Sequence, residues 1–190
     1  GTKNLNYLKK NTGYIYYPFN HLNIEFLTMN TLEFIYKQAG DADIADLVHL
    51  RLQFALELAG EQTEVQVQTL KQQLTTYFRS STKDGTCISY IAMHHNEIAG
   101  IGTMHIRLMP GNFKNPSGKW GYLMNIYTVK KYRRQGVCKS IIEKLMAASM
   151  KAGVTAFELH ATPMGAPVYT NMGFELHNEP TYRNYVTPTV

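Results

Sequence analysis

A chain of 190 residues that is 44% hydrophobic and 17% charged has the makeup of one folded domain with a core of its own, which excludes a disordered or fibrous chain. Its formal net charge of +5 and pI near 9.1 favour an anionic ligand, but the cations are dispersed, so nucleic acid is not expected as a partner. Cys87 and Cys138 are far apart and in no metal-like spacing, and no apolar run approaches a membrane span; the expectation is a cytoplasmic protein with neither a metal nor a membrane partner.

Residues 1–30 are polar and aromatic, with Tyr7, Tyr14, Tyr16, Tyr17, Phe19 and Phe26 among Asn and Lys. They read as an extension, either a tag scar or a packing arm, with Met29 as a candidate start and 31–190 as the folded domain. The run 33–39 predicts a strand. Asp41 or Asp43 then caps a helix reaching about Ala59, with Ile44, Leu47, Val48, Leu52, Ala55 and Leu58 as its buried stripe and Gly60 as its stop. A second helix is predicted over 63–79, where Val67, Leu70, Leu74, Tyr77 and Phe78 share a face, and Lys83-Asp84-Gly85 forms a turn.

Thr86 to Met93 and Ile98 to Leu108 read as an antiparallel hairpin closed by His94-His95-Asn96-Glu97. The two histidines lack the further ligands that a metal would need. A loop rich in Pro, Gly and Asn spans 109–119. Tyr122 to Val129 has the branched and aromatic content of a buried strand. Val137, Ile141, Ile142, Leu145 and Met146 recur at helical spacing, so a helix covers 135–152 and stops at Gly153. A strand at 155–160, a short helix at 167–172 and two last strands at 173–176 and 182–186 complete a mixed α+β order.

The segment Tyr132-Arg133-Arg134-Gln135-Gly136-Val137-Cys138-Lys139 lies between that strand and that helix. Amides in a helix's first turn lack intrahelical acceptors and sit at the positive end of its dipole, so an anion is favoured there. Gly136 lets a ligand approach the backbone, and Arg133, Arg134 and Lys139 add fixed charge, which together describe a polyphosphate site. Neither G-x-x-x-x-G-K-[ST] nor the three glycines of a dinucleotide turn occur here, which removes the best warrant for ATP hydrolysis or hydride transfer.

Over residues 33 to 187 the chain resembles the GNAT N-acetyltransferases. Arg133-Arg134-Gln135-Gly136-Val137-Cys138 is similar to that family's pyrophosphate motif [QR]-x-x-G-x-[GA], with Cys138 departing at the last place. Val168-Tyr169-Thr170-Asn171-Met172-Gly173-Phe174 is similar to its Y-x-x-x-G-F element. The Asn and Ala that often precede that element are replaced by Thr162 and Gly165.

The resemblance implies a GNAT-like acyl-CoA N-acyltransferase fold with a mostly antiparallel sheet flanked by helices. It implies acetyl-CoA as donor, lying where strand 122–129 parts from strand 155–160. Its pantetheine would meet the backbone of Ile126, Tyr127 and Thr128, and its pyrophosphate the segment Arg133, Arg134, Gln135, Gly136, Val137, Cys138 and Lys139. Tyr169 would protonate the departing thiolate. Asn125, His105, His160, Glu57 and Glu61 are the candidates for receiving the amine's proton, with water as the other acceptor. No acidic cluster would attract a polycation, so a small amine, amino acid or peptide end is the expected acceptor. A non-catalytic CoA-binding module is the alternative, and a homodimer through carboxy-terminal strands is expected.

Overall fold

The computed structural model describes residues 33–185; the expected extension over 1–30 lies outside them, as does Val186. Strand β1 (Ile35–Gln38) leads through a short 3-10 turn at Asp41–Asp43 into α1 (Ile44–Ala59). Gly60, at φ 77, ends α1 as its sequence position predicts. Helix α2 (Glu64–Lys83) opens with a capping box in which Thr63 Oγ1 accepts from the Gln66 amide and the Gln66 side chain accepts from the Thr63 amide. It runs one turn beyond the expected 79, ending at the Asp84-Gly85 turn.

Strands β2 (Cys87–His94), β3 (Glu97–Leu108) and β4 (Lys119–Thr128) form an antiparallel meander with β1 on its outer side. Helix α3 (Val137–Lys151) crosses back to β5 (Ala156–Leu159), which pairs with β4 in parallel, and α4 (Ala166–Asn171) follows. The sheet order is β1-β2-β3-β4-β5. One face carries α3 over Ala92, Met104, Leu123, Val137, Ile141, Ile142 and Leu145, and the other carries α1 and α2 over Leu47, Val48, Phe78, Ile91 and Ile101.

Three glycines set the α3 layer. A methyl group added at Gly102 would stand 2.5 Å from Ile141 Cγ2 and 2.7 Å from Ile126 Cδ1, and one at Gly100 would stand 2.7 Å from the Tyr127 carbonyl oxygen. At Gly121 it would meet the Phe157 ring at 2.7 Å. The helix and the β5 side chains lie closer to the sheet than any larger residue would allow.

Two expectations fail. The segments 173–176 and 182–185 form no strand. Leu176, Tyr182 and Tyr185 are 94%, 90% and 88% exposed, and a strand needs a neighbouring ladder to satisfy its backbone, which these residues lack among the described ones. On α1, Leu58 is 60% exposed instead of buried, while Arg51 and Phe54 share the inner face. No helix among the described residues is long and apolar enough to cross a membrane.

Candidate functional site

The site begins with a strand edge that loses its partner. Strands β4 and β5 pair only from Trp120↔Ala156 to Leu123↔Leu159, while β4 continues to Thr128. On its other side, β4 steps out of register with β3 between Tyr127↔Ile101 and Met124↔Thr103. Asn125 takes up the extra length in a left-handed conformation, φ 56, which Asn tolerates better than most side chains. The Val129 amide donates to the Ala99 carbonyl at 2.9 Å, and Tyr127 stands opposite Ile101. Strand alternation therefore turns the backbone groups of Ile126 and Thr128 toward the edge that β5 has left open.

The chain leaves β4 through a 3-10 turn at Lys130–Tyr132 and enters α3 through two left-handed residues, Arg134 at φ 62 and Gly136 at φ 79. A methyl group built on Gly136 meets nothing within 4 Å, so glycine is needed for its dihedral angle, and the space above it is open. Ser140 donates the first intrahelical bond, to the Gly136 carbonyl at 3.0 Å. The amides of Val137, Cys138 and Lys139 thus have no acceptor within the helix.

The cations around this turn have unequal freedom. Arg133 Nε donates to the Thr128 carbonyl at 2.9 Å and Nη2 to both Glu57 carboxylate oxygens at 2.7 and 2.9 Å, while the guanidinium lies 5.7 Å from the Tyr127 ring centre. The Tyr127 hydroxyl donates to the same carboxylate at 3.2 Å. Arg133 holds the Glu57 carboxyl below the usual carboxylate range, chiefly through that hydrogen bond. Lys131 is paired with Glu97, which also accepts from the Tyr132 hydroxyl. Gln135 donates to the Lys131 carbonyl at 3.1 Å. Arg134 has no ion pair among the described residues, and Lys139 faces Glu143 across an exposed 3.7 Å.

Tyr169 comes to this helix from α4. Val168, Tyr169 and Met172 pack against the core cluster that contains Val137 and Ile141, and Cys138 packs there too. Burial, and then the neighbouring Cys138, push the Tyr169 hydroxyl up to about 12, so it carries its proton at neutral pH. Burial alone pushes the Cys138 thiol up to about 11, so it stays neutral in the loop. Phe174 stands edge-on to Tyr169 with ring centres 6.1 Å apart. The two sequence elements, separated by some thirty residues, are thereby brought together.

The candidate proton acceptors are scattered. His105 lies under α2, where the Tyr77 hydroxyl meets its Nδ1 at 3.2 Å, and burial lowers its proton affinity. Glu57 is held by Arg133, and Glu61 is exposed in the connection before α2. Asn125 forms the bulge. His160 follows β5 at the end of the β4–β5 seam, its Nδ1 2.7 Å from the Tyr122 hydroxyl and its Nε2 3.3 Å from Thr181 Oγ1. Sequence reading missed Arg51, whose signal was a charge at the third place after Val48 in an otherwise apolar stripe.

The family described as acetyltransferase (GNAT) domain matches residues 58–189. The "putative acetyltransferase" of Bacillus subtilis (strain 168) is 30% identical over 98 residues, which cover 52% of this chain. The match spans about 60% of that curated relative's length. Among solved structures, a "predicted acetyltransferase with acetyl-CoA" from Clostridium acetobutylicum is 25% identical with a TM-score of 0.72, covering 80% of this chain and 96% of that one. A GCN5-related N-acetyltransferase from Ralstonia eutropha JMP134 is 18% identical with a TM-score of 0.70, covering 80% and 99%.

Proposed function

The chain belongs to the GNAT acetyltransferase family, and from that premise we propose that it moves an acetyl group from acetyl-CoA to a primary amine. The observation that carries this reading is the edge of β4 that β5 leaves open around Ile126, beside the Thr128 carbonyl that Arg133 takes, leading through one turn to the unpaired amides at the start of α3. A pantetheine chain carries amides that match a free strand edge, and a pyrophosphate matches a helix N-terminus. Gly136 with open space above it and Arg134 without an ion pair among the described residues fit the same ligand. The bound acetyl-CoA of the Clostridium relative supports the choice of donor.

In this reading acetyl-CoA supplies the activated acetyl thioester. The amides of Val137 to Lys139, with Arg134 and Lys139 at the flank, hold the pyrophosphate. Arg133 acts indirectly, fixing the loop to α1 through Glu57 and to β4 through Thr128. The acceptor nitrogen forms a bond to the acetyl carbon as the carbon–sulfur bond breaks, and Tyr169 donates its proton to the thiolate. The amine's proton leaves to His160 or directly to water. A cytoplasmic location fits the two unpaired thiols. Exposed Leu176, Tyr182 and Tyr185 support extending the proposal to a homodimer. The test is thiol release from acetyl-CoA across a panel of amines. Amine-dependent release supports the reading, and its absence with every class of amine overturns it.

A further inference from the structure

The inner stripe of α1 is sealed in its first half and open in its second. Ile44, Leu47 and Val48 are 6%, 1% and 2% exposed, whereas Arg51 and Ala55 on the same stripe are half-buried and Leu58 is exposed. The second half of α1 therefore leaves the sealed core behind and becomes progressively more exposed. Phe54 packs on Tyr127 with ring centres 5.6 Å apart, and Glu57 bonds the Tyr127 hydroxyl. This half of α1 thus lies beside Tyr127 near the end of β4, on the sheet face opposite α3.

Arg51 occupies the middle of this stripe, where an aliphatic residue would be ordinary. Its Nη1 is buried without a hydrogen-bond partner among the described residues, and no carboxylate there pairs with it. Its cationic contact is the Phe54 ring, 5.4 Å away. Burial lowers its proton affinity, as an uncompensated cation requires. Arg133 has Glu57 as its counter-charge, whereas Arg51 has no carboxylate partner among the described residues. A half-buried guanidinium without an acceptor is costly, and an incoming anion would remove the cost.

We propose that Arg51 holds the anionic end of the acceptor, which is therefore an amine that also carries a carboxylate. This rests on the acetyl-transfer reading and names its second substrate by class. The guanidinium fork matches a carboxylate with two parallel hydrogen bonds, and its partly desolvated setting strengthens them. A polycationic amine would instead meet an unneutralised positive charge.

The test uses the full chain and matched pairs of amines that differ only in the carboxylate, such as phenylalanine against phenethylamine, with an aminoalkyl phosphonate as a third arm. The acid is expected to raise the Tm of the wild type and the decarboxylated amine to leave it unchanged. Arg51→Gln should abolish that shift, leave acetyl-CoA binding unaltered by calorimetry, and lower kcat/KM for the acid at least tenfold through KM. Arg51→Met, of similar volume, should unfold at the wild-type temperature or above it. Equal shifts by acid and amine, no shift by either, or a markedly less stable Arg51→Met would overturn the proposal. A shift by the phosphonate alone would overturn the carboxylate in favour of a phosphate-like group. An acid-specific shift without acetyl-CoA binding would leave Arg51 as a carboxylate site and sink the acetyl-transfer reading instead.

Discussion

Arg133 and Arg134 are neighbours in sequence with different partners. Arg133 bridges Glu57 and the Thr128 carbonyl, whereas Arg134, left-handed at φ 62, has no ion pair among the described residues. A double-mutant cycle on Glu57 and Arg133, read by thermal unfolding, should give a coupling of about 1 kcal/mol, the upper end for partly exposed pairs. Additive losses would show that the bridge does not hold the loop. Tyr169→Phe should lower kcat at least tenfold and leave acetyl-CoA affinity unchanged, because the ring's packing is kept and only the proton is lost; an unchanged kcat would remove Tyr169 from the chemistry. The raised tyrosine also has a stability signature. The fold favours its neutral form, so that contribution is complete below about pH 10, the free tyrosine value, and is lost as pH climbs through about 12. The turn at Gly136 was legible in the sequence, since its positive φ favours glycine, and so was the short helix that carries Tyr169. The Arg133–Glu57 bridge was not, because it joins residues 76 apart through side-chain geometry that no local pattern encodes.

At the scale of elements, the α3 layer depends on glycines in β3. Gly102→Ala places a methyl group 2.5 Å from Ile141 and 2.7 Å from Ile126, so α3 must shift outward. We expect a loss of about 1–3 kcal/mol, the usual cost of overpacking, together with weaker acetyl-CoA binding because Ile126 belongs to the open edge. Denaturant unfolding checks the first and calorimetry the second; a variant as stable as the wild type would mean that the layer has slack. Most element boundaries were readable because glycines punctuate them, at Gly60, Gly85, Gly136 and Gly153, each with positive φ. The two carboxy-terminal strands misled because short runs containing aromatic and apolar residues read as strands, while strand formation depends on a partner that sequence does not display. Arg51 was missed for a related reason. A stripe written only from apolar positions passes over the one charged residue placed among them.

For the whole molecule, the mixed α+β order forms a meander whose last antiparallel strand parts from a parallel neighbour, within a fold shared with GNAT relatives. The parting would serve the proposed donor, and Arg51 of α1, whose buried stripe packs on the other sheet face, the proposed acceptor. In the proposed reading the β4 edge and the α3 N-terminus form one acetyl-CoA site. Calorimetric titration of acetyl-CoA into the wild type and into Arg134→Ala tests it most directly. Saturable binding to the wild type is expected, with about tenfold weaker binding to the variant, a difference of about 1.4 kcal/mol. No binding to the wild type, or equal affinity in both proteins, would contradict it.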